Sequence, residues 1–146
     1  MKEATLNQFT LNKVKKHKSG GITVEYEITN GHETITYKQT STDEPHPDML
    51  DKLYDLSEYA VTILNLNQNT VDVTGVIVGK KNESVVLIGN INTLSGLPIS
   101  FATHRVKYDD GVYDIETQLS EITKQIITEV YLYVFKSKKA QLLLFE

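Results

Sequence analysis

Ile22-Thr23-Val24-Glu25-Tyr26-Glu27-Ile28-Thr29-Asn30-Gly31-His32-Glu33-Thr34-Ile35-Thr36-Tyr37-Lys38 alternates apolar and polar residues on both sides of an Asn-Gly pair. Period-two alternation puts every second side chain on one face of a strand, and Asn-Gly suits a two-residue hairpin turn. Setting Thr29 against His32 places Tyr26 opposite Ile35 and Val24 opposite Tyr37, so both strands turn one apolar face to a core. The other face carries Thr23, Glu25, Glu27, Thr34, Thr36 and Lys38, a solvated mixture without an aromatic ring. A sheet with one apolar face needs a covering layer.

Upstream, Leu6 to Val14 reads as a further strand, closed by the basic turn Lys15-Lys16-His17-Lys18-Ser19-Gly20-Gly21. Downstream of Pro45 and Pro47, Met49, Leu53, Leu56, Ala60 and Ile63 step by four and three, the apolar stripe of a helix near residues 48–65. The prolines suit its first turn, where a missing N–H costs little. Val71 to Val78, Val85 to Ile91 and Leu97 to Val106 read as three more strands. Asp109-Asp110-Gly111 then precedes a second helix near 112–136, striped by Val112, Ile115, Leu119, Ile122, Ile126, Val130 and Val134.

The order is three strands, helix, three strands, helix, and the halves align. A shift of 64 carries Val14, Ile22, Val24, Ile35 and Tyr37 onto Val78, Val86, Ile88, Ile99 and Phe101; a shift of 66 carries Met49, Leu53, Leu56, Ala60 and Leu64 onto Ile115, Leu119, Ile122, Ile126 and Val130. Lys15-Lys16 finds Lys80-Lys81 at the matching turn. This pattern predicts an α+β fold of duplicated three-strand-plus-helix units, pseudo-repeats 4–66 and 70–136 in one domain spanning 1–146, with a C-terminal tail from 137 to 146. Both helices should lie on one face of a mostly antiparallel sheet, leaving the other face, or Lys turns brought to one edge, for a partner.

At 146 residues the chain can bury about two-thirds of its unfolded surface in a single core. With 40% hydrophobic and 23% charged residues it falls in the ordinary globular range, which excludes a disordered or fibrous class. There is no charged-then-apolar leader and no apolar run near 18 residues, so the expectation is a cytoplasmic protein with no membrane partner. The absence of Cys removes disulfides, thiol catalysis and thiolate metal sites. A net charge of −4 argues against nucleic-acid binding over the whole surface and leaves room for a local basic patch.

The chain offers little for catalysis. His17, His32, His46 and His104 are scattered without the spacing of a metal-binding helix, so no cofactor or metal is expected. Ser19-Gly20-Gly21 lacks the following helix of a phosphate loop, and Gly75, Gly79 and Gly89 suit bulges or close packing inside strands. Asp43-Glu44 and Asp109-Asp110 precede helices, where acids favour the N-terminal dipole. The expectation is a non-enzyme. Lys13, Lys15, Lys16, Lys18, Lys80 and Lys81 are candidate phosphate contacts; Lys136, Lys138 and Lys139 suit the negative end of the second helix. Tyr131 to Phe135 is apolar almost all round, so either the tail or a second copy, in a homo-oligomer, should cover it.

The last residues, Gln141-Leu142-Leu143-Leu144-Phe145-Glu146, resemble a bacterial sliding-clamp-binding tail of the form Gln-Leu-(Ser/Asp)-Leu-Phe. Gln141, Leu142, Leu144 and Phe145 match, and Leu143 departs from the usual small polar residue. The resemblance implies a Gln amide at the rim of a clamp pocket, apolar anchors filling it, and a protein partner in DNA replication or phage and mobile-element DNA metabolism. The same run also suits a terminal segment that closes a core. Alternative expectations are a nucleic-acid-binding protein using its Lys turns and an inhibitory or structural protein of phage type.

Overall fold

The computed structural model describes residues 4–66, 71–93 and 95–140. Among the described residues seven strands form one antiparallel sheet: β1 (Phe9–Lys16), β2 (Ile22–Asn30), β3 (Glu33–Ser41), β4 (Val71–Val78), β5 (Ser84–Asn92), β6 (Pro98–Ala102) and β7 (Val106–Lys107). Their order is β3-β2-β1-β4-β5-β6, with β7 also on β5. Two helices, α1 (Pro47–Leu64) and α2 (Glu116–Lys136), complete the α+β fold. Each half is a meander, and the two meanders meet through their first strands.

That seam consists of Lys13↔Ile77, Val14↔Val76 and Lys15↔Gly75. The backbones approach so closely that a Cβ on Gly75 would lie 2.3 Å from the Val14 carbonyl oxygen. Each meander carries a bulge at the same place: Asn12 interrupts the pairing of β1 with β2, and Thr74 that of β4 with β5. On the second bulge the buried Val73 N–H donates to Ser57 Oγ of α1 at 3.1 Å, so the group displaced from the ladder is satisfied by the helix.

Strand pairing corrects the single shift of 64. Val14↔Val24 in the first meander corresponds to Val76↔Leu87 in the second, and Leu11↔Tyr26 to Val73↔Gly89. Val14 therefore matches Val76, not Val78, and Ile22 and Val24 match Val85 and Leu87, not Val86 and Ile88. The difference of one residue matters, because it moves a side chain to the other face. Val85 and Leu87 belong to the core under the helices, whereas Val86 and Ile88 do not. At the third strand, Ile35↔Ile28 and Ile99↔Ile91 are equivalent pairs, as the shift of 64 has it.

The β2–β3 hairpin also differs in register. Tyr26 faces Tyr37, Ile28 faces Ile35 and Asn30 faces Glu33, so the turn residues are Gly31 and His32. Gly31 takes φ +65° and His32 stays negative, the pattern of a II′ turn, which wants Gly first. The two-residue slip preserves the faces and stacks Tyr37 on Tyr26 at 5.1 Å. Leu6–Gln8 is a 3-10 turn, so the first strand starts at Phe9 and runs on to Lys16. The expected strand from Leu97 to Val106 is two strands, because Thr103 leaves the ladder and binds Leu87 twice, through its N–H and its hydroxyl.

α1 begins with Pro47 after His46, whose Nδ1 accepts the Asp48 N–H. α2 begins later than the apolar stripe implies: Val112, Tyr113 and Gly111 direct their N–H groups at the buried Glu116 carboxylate, which holds them as a loop. Both helices lie on one face of the sheet and share one core with it. They do so crosswise: α1 lies against β4 of the other half, while α2 brings Tyr131 and Phe135 against Phe9 and Tyr26. Tyr131 and Tyr133 are buried within the chain. Their hydroxyls donate to the Ala4 and Asp43 carbonyls.

Past Ser137 the chain is pinned to the segment before α1. Lys138 pairs with Asp48 and Glu129 at 2.8 and 2.9 Å, Lys139 pairs with Asp43 at 2.8 Å, and Ala140 N–H donates to the Glu44 carbonyl. Lys138 and Lys139 therefore bind Asp48 of α1 and Asp43 before it, beyond complementing the end of α2. Hydrogen bonds from Lys139 and Lys138 hold the Asp43 and Asp48 carboxyls below their ordinary value, and the same contacts raise both ammonium groups.

Two outcomes follow from this packing. Gly75→Ala should lower stability by about 1–3 kcal/mol through backbone displacement at the seam, which a urea titration should show as a lowered midpoint with an unchanged slope. The lysine pins should hold between the ordinary Asp value of 3.8 and the ordinary Lys value of 10.5. The depressed Asp values make their contribution fade as pH falls below 3.8 through the folded-state value, and the raised Lys values make it fade as pH rises above 10.5. Lys138→Met with Lys139→Met should flatten both limbs of a melting-temperature profile against pH.

Candidate nucleic-acid interface

The helix-free face of the sheet is where the lysines of the first turn converge. In β1 Val14 points to the core, so Lys13 and Lys15 stand on the opposite face, at the centre of the sheet and not at its margin. Lys16, His17 and Lys18 continue into the turn, which is held from behind by the Glu44 carboxylate accepting Gly21 N–H at 2.6 Å. Together they form one wall of a groove of about 640 Å³. Asp72, Thr74 and Ile88 line its middle; Asn90, Asn92, Pro98 and Ser100 line the far side.

Charge is concentrated here against the trend of the chain. Four lysines and one carboxylate line the groove of a protein with net charge −4. None of Lys13, Lys15, Lys16 and Lys18 has a side-chain hydrogen bond or carboxylate partner among the described residues, unlike Lys138 and Lys139. Unpaired ammonium groups gathered on a concave surface raise the local potential and attract polyanions. The floor is flat beside Lys15 because Gly75 has no side chain, and Ile88 fills that space: its Cδ1 lies 3.1 Å from where a Gly75 Cβ would be.

Lys15, Lys16 and Lys18 are thus brought together, and Lys80 and Lys81 are not. Because β1 and β4 are antiparallel, the turns after them leave from opposite ends of the sheet. Lys80 and Lys81 sit in a 3-10 turn near Arg105, which donates to Ser84, and near Lys107, which pairs with Ser84 at the same end of β5. The expectation of two Lys turns at one edge is corrected by strand direction. Gln141, Leu142, Leu144 and Phe145 lie outside the described residues; the chain leading to them leaves from beside the start of α1, where Pro45 and Lys139 are bridged.

The histidines take separate places. His17 bonds Thr23, His46 caps α1, His104 stacks on Tyr113, and His32 occupies the hairpin tip. Among the described residues no group of three or more His, Asp or Glu is placed to hold a metal ion, and no helix is long and apolar enough to cross a membrane. Sequence reading missed the far wall. Asn90 and Ser100 become groove residues only through the pairing Asp72↔Asn90↔Ser100 across three strands, a relation no local pattern contains. No family model matches the chain, and no curated protein or solved structure matches it either.

Proposed function

We propose that the chain is a nucleic-acid-binding protein that holds the phosphate backbone in the groove on its helix-free sheet face. The observation that supports this is the convergence of Lys13, Lys15, Lys16 and Lys18, all without carboxylate partners among the described residues, on one concave surface of an otherwise acidic protein. Lysine acts as a mobile point charge on phosphate, and binding releases condensed counterions, so affinity depends on salt. No aromatic platform stands on this face of β1 or β4, and Phe101 of β6, which lines the groove, packs against the core, so the groove works through charge and hydrogen bonds and not through stacking. The protein's role in this reading is to carry or occlude nucleic acid without altering it.

The clamp-binding tail is compatible with such a role and rests on the sequence of residues 141–146 alone. A protein that bound both nucleic acid and a replication clamp would hold the nucleic acid in the groove on the open sheet face, while the chain leading to the tail passes Pro45 at Lys139.

Substituting Lys13, Lys15, Lys16 and Lys18 by Ala should weaken oligonucleotide binding at low salt and reduce the slope of log K against log salt by roughly 0.7 for each phosphate that a lysine no longer neutralises. Lys80→Ala with Lys81→Ala, at the opposite end of the sheet, should leave both affinity and slope near those of the parent. Fluorescence anisotropy over a salt series measures both. A parent protein that retains no oligonucleotide at low ionic strength would sink the proposal.

A further inference from the structure

The walls of the groove differ in kind, and that difference selects the ligand. On one side stand the lysines of β1 and its turn. Lys13 and Lys15 are two residues apart, about 7 Å along the strand, so their ammonium groups can meet neighbouring phosphates of one backbone. Among the described residues the other side carries no further cation, and Asn90, Asn92 and Ser100 offer neutral hydrogen-bonding groups there. Asp72↔Asn90↔Ser100 form a ladder across β4, β5 and β6, and Ser100 Oγ donates to Asn90 Oδ1 at 3.4 Å. The span from β1 to β6 covers three inter-strand steps, about 14 Å.

A duplex seated here would bring one backbone to each wall, and cations on one wall meet only one of them. A single strand presents a line of phosphates and, beside it, a line of base edges, which is the order of groups met from the Lys16–Lys18 end of the lysine wall across the Asp72–Asn90–Ser100 ladder, offset along β4 from the Gly75 that faces Lys15. The one carboxylate fits the same order. Asp72 is exposed on β4, between Asn90 and the Lys16 end of the lysine wall, where it repels phosphate back toward the turn after β1 and can accept only from a donor. Cytosine offers its N4 amino group to such an acceptor; thymine offers a carbonyl at the equivalent place.

Resting on the nucleic-acid reading above, we infer that the groove takes single-stranded nucleic acid, with its backbone along β1 and its bases over the Asp72–Asn90–Ser100 ladder, and that Asp72 makes it prefer cytosine to thymine. Asp72 is then a specificity-determining residue, and Lys13 and Lys15 are affinity residues. The two roles are separable by substitution, because removing a repulsive carboxylate and removing an attractive ammonium move affinity in opposite directions.

The experiment titrates the full chain with fluorescein-labelled oligo-dC, oligo-dT and a mixed-sequence duplex of equal length at one ionic strength. The parent should bind both single strands more tightly than the duplex, and oligo-dC about tenfold more tightly than oligo-dT. Asp72→Ala should bind oligo-dT more tightly than the parent does and lose most of the dC preference, with a thermal melt confirming the fold. Asp72→Glu should retain the preference. Duplex binding as tight as single-strand binding, or a dC-to-dT ratio that is absent in the parent or unmoved by Asp72→Ala, overturns this inference and leaves the groove a general nucleic-acid site. Absence of binding to all three probes overturns the nucleic-acid reading itself, and this inference with it.

Discussion

The backbone contact between Val14 and Gly75 governs the architecture. Three residue pairs join the two meanders, and they close because position 75 lacks a side chain on the face where the strands meet. Everything central follows from this short seam. It turns two three-stranded sheets into one, buries the first strand of each half in the middle, and removes two of the four edges that separate meanders would expose. It also sets β1 antiparallel to β4, which fixes where every turn leaves the sheet.

The location of the basic groove is a consequence of that direction. If the first strands ran parallel, the turns bearing Lys15-Lys16 and Lys80-Lys81 would emerge side by side. Antiparallel pairing sends them to opposite ends and leaves the first turn opposite the polar residues of β5 and β6. The two ends have therefore become different surfaces despite their similar sequence. One has four lysines around a concave floor. The other has Lys80 and Lys81 on a tight turn whose Lys81 and Asn82 take left-handed backbone conformations, beside an Arg105 already committed to Ser84.

Local patterns in the chain reveal the elements because strand alternation and helical stripes are local properties. Ile22 to Ile28 and Val71 to Val78 announce their faces, and Met49 to Ile63 announces its buried stripe. The helix correspondence at 66 residues has a physical counterpart: Leu53, Ser57 and Ala60 are buried in α1 as Leu119, Thr123 and Ile126 are in α2. Register is less legible. Asn30-Gly31 suggests one turn, but Gly31-His32 pairs Tyr26 with Tyr37, and stacking of two rings outweighs the preference of an Asn for the turn. The start of α2 is hidden for a similar reason. Val112 and Ile115 continue the apolar stripe, yet the buried Glu116 draws the preceding N–H groups to itself and stops the helix there. The groove requires strand order, which belongs to pairs of distant residues, and so only its lysine wall can be read from the chain alone.

Each helix covers the first strand of the opposite half: α1 satisfies Val73 beside the β4 bulge, and α2 closes over Phe9 of β1. Neither half is therefore a self-sufficient body. A chain cut after the first helix would leave β1 without its seam partner and α1 without the strand it covers. Two copies of such a fragment could satisfy each other by the same reciprocal exchange, strand to strand and helix to strand. The molecule has the geometry of a symmetric dimer written into one polypeptide, and its covalent link frees each half to lose features the other keeps. That freedom is what an exact homodimer lacks, since any residue change there appears on both sides at once.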